Sequence, residues 1–358
     1  MDDNDFMRRA LALAGKGNTS PNPLVGCVIV KNGRVMAEGF HRKAGLPHAE
    51  IEALRKLKCG EARGSTLYVT LEPCCHHGRT PPCTDAIIKA GVKRVVAAMR
   101  DPNPLVAGKG AMILRNAGVE VNVGVLRKEA EQLNEAYVHF MKTVTPFVTL
   151  KSAMSLDGKI AAKTGDSKWI TGEKARKRVH DLRSRVDAVL VGVGTVLKDD
   201  PRLTCRVKGG RDPLRVIVDS HLRIPLEAKV LGDGNVVVAT TKRHSLQKKK
   251  RLDNRGVDVW VVAEKNRRVN LTDLARVLGE IGVRSILIEG GGEVNASAIQ
   301  AGIVNKVLFF ISPMIVGGRE AKTPVEGEGT KKIREAVKVR NSTVERIGDD
   351  FLVTGYLK

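Results

Sequence analysis

The stretch from His48 to Cys83 constrains this chain more than any other part of its sequence. It opens with His48-Ala49-Glu50 at the start of a segment whose apolar residues have helical spacing. It closes with a loop rich in Gly and Pro that contains Cys74 and Cys83. One histidine and two cysteines give a zinc ion three protein ligands and leave the fourth tetrahedral position for water, which indicates a catalytic site.

Four neighbouring side chains compete for one position in this zinc site. They are Cys74, Cys75, His76 and His77. We choose Cys74, because it follows Pro73 and lies at a predicted helix start, where backbone N–H groups favour a thiolate. The order His-x-Glu and then Pro-Cys is the signature of zinc deaminases of nucleobases, in which the glutamate carries the proton. A non-catalytic zinc scaffold is the structural alternative, and the nearby Glu50 argues against it.

Composition bears on compartment and partners. The chain has 358 residues, six cysteines, an acidic N-terminus without a signal-peptide core, and no apolar run of membrane-spanning length. The formal net charge is +22, but the basic residues are dispersed and aromatic residues make up only 3% of the chain. Because stacking on single-stranded bases needs aromatic rings, anionic small molecules are favoured as partners. We expect a cytoplasmic homo-oligomer that binds neither nucleic acid nor membranes.

Strands alternate with helices along both halves of the chain, which predicts two α/β domains, residues 1–145 and 146–358. In the first domain Asn32-Gly33 predicts a hairpin turn, and a single helix is predicted from Lys128 to about Met141. In the second, the glycines of Glu289-Gly290-Gly291-Gly292-Glu293 lie between a predicted strand and a predicted helix. They predict either a phosphate site or a plain helix-opening turn.

Two other features of the second half remain ambiguous from sequence. Gly192-Val193-Gly194 lacks the third glycine of a dinucleotide fingerprint, and the helix that it opens is predicted to be very short. Trp169 is one of two tryptophans, and either core packing or a place in a binding site would account for it.

Taken together, these segments resemble the bifunctional pyrimidine deaminase/reductase of riboflavin biosynthesis over nearly the whole chain. The resemblance is carried, in this order, by Pro21-Asn22-Pro23-Leu24-Val25-Gly26, His48-Ala49-Glu50, Thr70-Leu71-Glu72-Pro73-Cys74 through Cys83, Asp101-Pro102-Asn103-Pro104, Ser155-Leu156-Asp157-Gly158-Lys159, Ser167-Lys168-Trp169-Ile170-Thr171, Asp199-Asp200-Pro201-Arg202-Leu203-Thr204 and Glu289-Gly290-Gly291.

The resemblance implies a three-layer α/β domain like cytidine deaminase, followed by an α/β domain like dihydrofolate reductase. The first would use one zinc ion to remove an amino group from a diaminopyrimidinone ribosylamino phosphate. The second would use NADPH to reduce the ribosyl chain to a ribityl chain. A tRNA-editing deaminase with an RNA-binding second domain is the rival from another class. It would explain the charge, but its signature has Cys-x-x-Cys, unlike the wide spacing of Cys74 and Cys83.

The resemblance also implies roles for individual residues. The zinc ligands are His48, Cys74 and Cys83, and the proton shuttle is Glu50. The deaminase substrate residues are Asn22, Arg79, Asp101 and Asn103, with Arg79 on the phosphate. The NADPH-binding residues are Ala153, Trp169, Thr195, Asp199, Ser220, Gly291, Gly292, Glu293, Val294, Asn295, Ala296 and Ser297. The substrate residues of the reductase are Ser167, Arg183, Leu203, Arg206 and Glu289.

Overall fold

The computed structural model describes residues 1–77 and 81–357. The chain divides into two compact units, Met1–Thr143 and Val144–Lys358, and each contains its own sheet. Within the described residues, no helix combines the length and the hydropathy that crossing a membrane would need.

The first unit is built on a five-stranded sheet. Its strands are β1 (Gly26–Lys31), β2 (Arg34–Phe40), β3 (Thr66–Val69), β4 (Arg94–Ala97) and β5 (Glu120–Val123). Its helices are α1 (Asp3–Ala14), α2 (Ala49–Leu54), α3 (Cys83–Lys89), α4 (Lys109–Asn116), α5 (Arg127–Leu133) and α6 (Glu135–Thr143). The strand order is β2-β1-β3-β4-β5, with β3, β4 and β5 parallel and β1 antiparallel to both of its neighbours.

Alternation along the buried strands gives this sheet two apolar faces. In β1, Cys27 and Ile29 pack with α2, α3 and α4, whereas Val28 and Val30 pack with α1, α5 and α6. The result is the expected three-layer arrangement of helices, sheet and helices. Asn32 and Gly33 both have positive φ, 52° and 72°, as a tight turn between the antiparallel strands β1 and β2 requires.

The prediction of one continuous helix from Lys128 to Met141 was wrong, because the structure breaks this segment at Asn134. The side-chain amide of Asn134 donates to the Leu24 carbonyl at 2.9 Å and accepts from the Leu24 N–H at 2.8 Å. With φ at −110°, Asn134 ends α5, and α6 starts at the next residue. Leu24 is 110 positions away in sequence, so the local helical pattern could not predict the break.

The second unit is built on a nine-stranded sheet with the order β10-β9-β8-β7-β13-β6-β14-β16-β15. Its strands are β6 (Phe147–Ser155), β7 (Ala188–Gly192), β8 (Leu214–Val218), β9 (Val236–Thr240), β10 (Asp258–Val261), β13 (Ser285–Ile288), β14 (Val304–Ser312), β15 (Arg340–Ile347) and β16 (Asp350–Tyr356). The strands from β10 to β14 in this order are parallel, and β16 and β15 complete the sheet in antiparallel fashion.

Helices cover both faces of this second sheet. They are α7 (Glu173–Arg185), α8 (Val193–Asp199), α9 (Leu246–Asp253), α10 (Leu271–Glu280) and α11 (Gly292–Gln300), and a separate small hairpin joins β11 (Glu264–Lys265) to β12 (Arg268–Val269). The apolar sides of α10 and α11 pack on one face, and those of α8 and α9 pack on the other. The short α8 is the short helix expected after Gly192.

Candidate active sites

In the first unit, three predicted zinc ligands come together. His48 is the N-cap residue of α2, Cys83 is the first residue of α3, and Cys74 lies in the loop that follows β3. The His48 Nδ1 atom lies 3.5 Å from the Cys74 sulfur and 3.3 Å from the Cys83 sulfur, and the three ligand atoms lie within 4.8 Å of one another. One imidazole nitrogen and two sulfurs at these distances suit tetrahedral zinc.

The thiol chemistry of the cluster also suits a metal cation. Hydrogen bonding from the Cys83 thiol, together with the neighbouring His48, lowers the pKa of Cys74 to about 4, against the effect of burial. The backbone N–H of Cys83, at the start of α3, also points at the Cys74 sulfur from 3.4 Å. A thiolate is therefore present at neutral pH, and the thiolate is the form of cysteine that binds metals.

The structure separates Cys74 from the side chains that compete with it. The Cys75 sulfur lies outside the cluster, 4.0 Å from the carbonyl oxygen of Leu105. His76 and His77 are exposed, and the metal-binding group found among the described residues does not include them.

Glu50 lies one residue into α2, beside the cluster, and its side chain is almost fully buried. Burial raises the pKa of Glu50 to about 7, and the Cys74 thiolate acts in the same direction. A carboxyl group with a pKa near neutrality can both accept and release a proton under physiological conditions. The cluster thus has a proton-transfer group next to its ligand atoms.

The other residues predicted for this site lie on the surrounding loops. Asp101 is buried and accepts a 2.8 Å hydrogen bond from the Tyr137 hydroxyl and a 2.9 Å bond from the Asn103 N–H. The Asn22 amide pairs with the His41 ring at 3.1 Å. Arg79 lies outside the described residues.

Sequence reasoning missed His41. Its ring centroid lies 5.3 Å from that of His48 in an edge-to-face arrangement, and it is 2% exposed. His41 is not part of a metal-ligand sequence motif. Only its contact with Asn22 in the folded chain identifies it as a residue of this site.

In the second unit, a cleft of about 730 Å³ opens at the carboxyl ends of the parallel strands. Of the predicted cofactor residues, its lining includes Thr195, Asp199, Ser220, Gly291, Gly292, Glu293, Val294 and Ser297. Gly291 is the N-cap residue of α11, and a Cβ atom built there would meet nothing within 4 Å. The glycine-rich turn therefore presents bare backbone to the cleft.

The predicted run from Gly291 to Ser297 does not face this cleft as a whole. Asn295 is fully buried, and its amide donates to the Pro324 carbonyl at 2.8 Å. Neither Asn295 nor Ala296 is among the lining residues. A helix turns about 100° per residue, so consecutive positions cannot all point to one side.

A second and larger cleft of about 1520 Å³ adjoins the first. It is lined by all five predicted reductase substrate residues, which are Ser167, Arg183, Leu203, Arg206 and Glu289, and also by Ala153 and Trp169. Ile160, Ser167, Thr195 and Asp199 line both clefts. Two ligands bound in the two clefts would therefore meet along this shared wall.

Trp169 lies in the larger cleft and is not a core residue. Its side chain is 65% exposed, and the guanidinium of Arg176 lies 4.7 Å from its ring centroid. The core-packing interpretation of Trp169 was therefore wrong.

A buried ion cluster forms the floor of the larger cleft. Arg183 donates two hydrogen bonds to Glu289, at 2.6 and 3.0 Å, and the Lys151 ammonium lies 3.7 Å from the same carboxylate. Burial alone would raise the pKa of Glu289, but Arg183 and Lys151 hold it at about 2. Burial lowers the pKa of Lys151 itself.

Sequence reasoning missed Lys151 and also His180, which lines the same cleft and has a buried Nδ1 atom without a hydrogen-bond partner. A lone lysine in a strand and a lone histidine in a helix carry no spacing signal, and only the fold places them here.

Comparison with known proteins agrees with this division of sites. Residues 1–99 match the family described as "Cytidine and deoxycytidylate deaminase zinc-binding region", and residues 146–353 match "RibD C-terminal domain". The chain is 51% identical to riboflavin biosynthesis protein RibD of Actinobacillus pleuropneumoniae, over 99% of this chain and 95% of that protein. It is 46% identical to the protein of the same name from Aquifex aeolicus, over 98% and 97% of the two chains.

Solved structures give the same result. An Acinetobacter baumannii RibD structure superposes with a TM-score of 0.89 at 38% identity, covering 99% of this chain and 98% of that one. A Thermotoga maritima diaminohydroxyphosphoribosylaminopyrimidine deaminase/5-amino-6-(5-phosphoribosylamino)uracil reductase superposes with a TM-score of 0.86 at 42% identity, with the same coverage. On this combination of sequence identity, coverage and matched domains, the chain belongs to the RibD family of bifunctional deaminase–reductases of riboflavin biosynthesis.

Proposed function

We propose that this chain performs two consecutive reactions on one phosphorylated pyrimidine. The first is hydrolytic deamination of a diaminopyrimidinone ribosylamino phosphate, and the second is NADPH-dependent reduction of the ribosyl group to a ribityl chain. The observation that carries the proposal is the His48, Cys74 and Cys83 cluster beside buried Glu50, in a chain whose other unit holds two adjoining clefts. The match of residues 146–353 to a reductase-family domain argues against an RNA-binding module there.

In the deaminase unit, His48, Cys74 and Cys83 would hold zinc and leave one coordination position open. Zinc in such a site supplies hydroxide at neutral pH as the nucleophile. Glu50 takes the proton and passes it to the departing amine, which leaves as ammonia. The Asn22 and Asn103 amides and the Asp101 carboxylate offer the donors and acceptors that a pyrimidine edge requires. Arg79 is proposed for the substrate phosphate, with which a guanidinium can form charge-assisted hydrogen bonds.

In the reductase unit, we place the dinucleotide in the smaller cleft, with its pyrophosphate on the backbone N–H groups at the start of α11. NADPH supplies the hydride. The pyrimidine occupies the larger cleft, where Arg183 and Lys151 share the Glu289 carboxylate. We assign the substrate phosphate to Arg206, which is exposed on the same cleft.

α11 follows β13, and the next two strands in the sheet are β7 and then β8. A cofactor whose pyrophosphate lies at the start of α11 would therefore extend its adenosine end toward β8. At the carboxyl end of β8, Ser220 and Arg223 line the smaller cleft. Arg268 lines it too, but is paired with Glu293 at 2.9 Å. Among the described residues, no carboxylate lies within ion-pair distance of Arg223, which leaves its guanidinium available for the phosphate that distinguishes NADPH from NADH.

We also propose that the protein is a homo-oligomer of the cytoplasm. The six cysteines are free thiols, as in a reducing compartment. The terminal strand β15 has seven exposed residues out of eight, with Val344 at 69% exposure, and Ile333 and Val337 nearby in sequence are 90% and 53% exposed. A long exposed edge with large apolar side chains favours pairing with the same edge of a second copy about a twofold axis.

Zinc content tests the choice of ligands. We expect one zinc per chain in the purified wild-type protein by elemental mass spectrometry, and loss of that zinc in Cys83→Ala, since two ligands hold the metal far less well than three. Cys75→Ser is the matched control and should keep its zinc, because the Cys75 sulfur lies outside the cluster. Zinc-free wild-type protein, or zinc loss in Cys75→Ser, would contradict the assignment.

Mass spectrometry of reactions with the diaminopyrimidine substrate, with and without NADPH, tests both activities. We expect deamination without NADPH and reduction only with it. Glu50→Gln should keep zinc and lower the deamination kcat by at least about 100-fold, because an amide cannot transfer the proton. The control is Glu52→Gln on the same helix, whose carboxylate pairs with Arg42 at 3.4 Å. Near-normal deamination by Glu50→Gln would refute the role of this residue.

Steady-state kinetics on the deaminated pyrimidine test cofactor choice. We expect a higher kcat/KM with NADPH than with NADH. Arg223→Ala should lower the NADPH value about tenfold or more and spare the NADH value, since a hydrogen bond to a charged group contributes about 1.5–3 kcal/mol. Arg251→Ala, an exposed change outside the cleft, is the control.

Gly291→Val tests the pyrophosphate position in the same assay. Its side chain would project into open cleft space, so the KM for NADPH should rise while deamination is unchanged. Equal use of the two cofactors by the wild type, or a normal NADPH KM in Gly291→Val, would contradict this placement.

Sedimentation velocity tests the oligomer. We expect the wild type to sediment as an oligomer and Val344→Asp to shift it toward the monomer, because a buried unpaired carboxylate in an interface is costly. Leu246→Asp is the control, since Leu246 is 78% exposed on α9, away from the edge strand. A monomeric wild type at micromolar concentration would refute the proposal.

A further inference from the structure

Glu72, which directly precedes Pro73 and Cys74, is buried and does not belong to the candidate metal group of His48, Cys74 and Cys83. Both of its oxygens accept hydrogen bonds from backbone N–H groups elsewhere in the unit. One oxygen accepts from Asp101 at 3.2 Å and from Gly108 at 2.9 Å, and the other accepts from Ala111 at 3.0 Å. A single carboxylate thus holds both ends of the segment from Asp101 to Ala111.

The second half of this segment contains the start of α4, whose free N–H groups need an acceptor from another part of the chain. The N-cap residue of α4 is Gly108, which has a φ of 89° and no side chain to satisfy the free N–H groups of the first turn. Glu72 takes that role from a distance by accepting from the cap residue itself and from Ala111, three positions on. Its negative charge also suits the positive end of the helix dipole.

The first half of the segment carries two side chains that the proposed deaminase uses. Glu72 accepts from the backbone N–H of Asp101, and Asn103 is two residues further along the chain. The Asp101 carboxylate in turn accepts from the Asn103 N–H at 2.9 Å. A shift of the backbone at Asp101 would therefore move both groups.

Close backbone packing reinforces the same connection. A Cβ atom on Gly110 would lie 2.2 Å from the Pro73 carbonyl oxygen and 3.3 Å from the Glu72 side chain. Only glycine permits this approach. The first turn of α4 is thus held directly against the backbone that leads into Cys74.

We propose that Glu72 is a positioning residue of the deaminase, which fixes the pyrimidine-binding segment from Asp101 to Asn103 at a set distance from the Cys74 loop. The proposal rests on the proposed deaminase function. It predicts that Glu72 acts on substrate binding and not on metal retention or proton transfer.

The test is Glu72→Gln in the full chain. The amide keeps the size of the side chain and one acceptor oxygen, but its NH₂ group cannot accept a hydrogen bond, so Glu72→Gln cannot keep all three bonds from Asp101, Gly108 and Ala111. We expect about one zinc per chain, a KM for the diaminopyrimidine raised about tenfold, which corresponds to about 1.4 kcal/mol of binding free energy, and a kcat changed by much less. Reduction of the deaminated pyrimidine should be unchanged.

Two further variants separate positioning from general destabilisation. Gly110→Ala disturbs the same connection from the other side and should raise the KM in the same way. Leu114→Ala removes a fully buried side chain on the same helix without touching Glu72 and should lower the unfolding temperature while leaving the KM unchanged.

Amide hydrogen exchange gives a readout that does not depend on turnover. Peptides covering residues 101–111 should exchange faster in Glu72→Gln than in the wild type. Unchanged exchange there, an unchanged KM in zinc-loaded Glu72→Gln, an equal KM increase in Leu114→Ala, or zinc loss in Glu72→Gln would each overturn the proposal. Absence of deamination by the wild type would instead refute the proposed function, and the exchange experiment would still decide whether Glu72 holds this segment.

Discussion

Both candidate sites depend on the unpaired N–H groups at the starts of helices that follow strands of the two sheets. These groups attract negative charge wherever a helix begins. In the first unit the start of α3 directs the Cys83 N–H toward the Cys74 sulfur. In the second unit, α11 begins at Gly291 and Gly292, whose backbone lines the smaller cleft. A thiolate and the proposed pyrophosphate are different groups, but both are negatively charged and suit the free N–H groups at a helix start.

The distribution of positive charge distinguishes side chains that serve the fold from those free to bind anions. Arg183 is held by Glu289, and Arg268 is paired with Glu293. Arg206 and Arg223 are exposed on the two clefts. Exposed cations on the two clefts agree with a substrate and a cofactor that both carry phosphate. Removing Glu289 would leave the buried charges of Arg183 and Lys151 without their counter-ion, which is costly in a low-dielectric interior.

The first unit shows how a site can be assembled from parts with separate tasks. The cluster of His48, Cys74 and Cys83 uses only atoms close to two helix starts and one loop. Asp101 and Asn103, which we propose for the pyrimidine, lie on a different loop, and the Glu72 carboxylate connects that loop to the segment leading into Cys74.

Short-range sequence patterns were enough to predict several parts of this protein. The Asn32-Gly33 turn needs positive φ at adjacent residues, the strands follow from apolar runs of fixed length, and His48, Glu50 and Cys74 belong to a motif whose spacing reflects ligand geometry. Family resemblance added predictions for the residues of the two clefts, and all five predicted substrate residues of the reductase line the larger one.

The tertiary structure brings together side chains that are far apart in sequence, and local patterns could not predict these contacts. It places the Cys75 sulfur outside the cluster and ends the helix at Asn134 through contacts with Leu24. It also directs the Asn295 side chain away from the smaller cleft. Lys151 and His180 both line the larger cleft. The physical reason is that local spacing specifies the backbone conformation of a few residues, whereas the direction and partners of a side chain depend on packing against segments that are distant in sequence, 110 positions away in the case of Asn134 and Leu24.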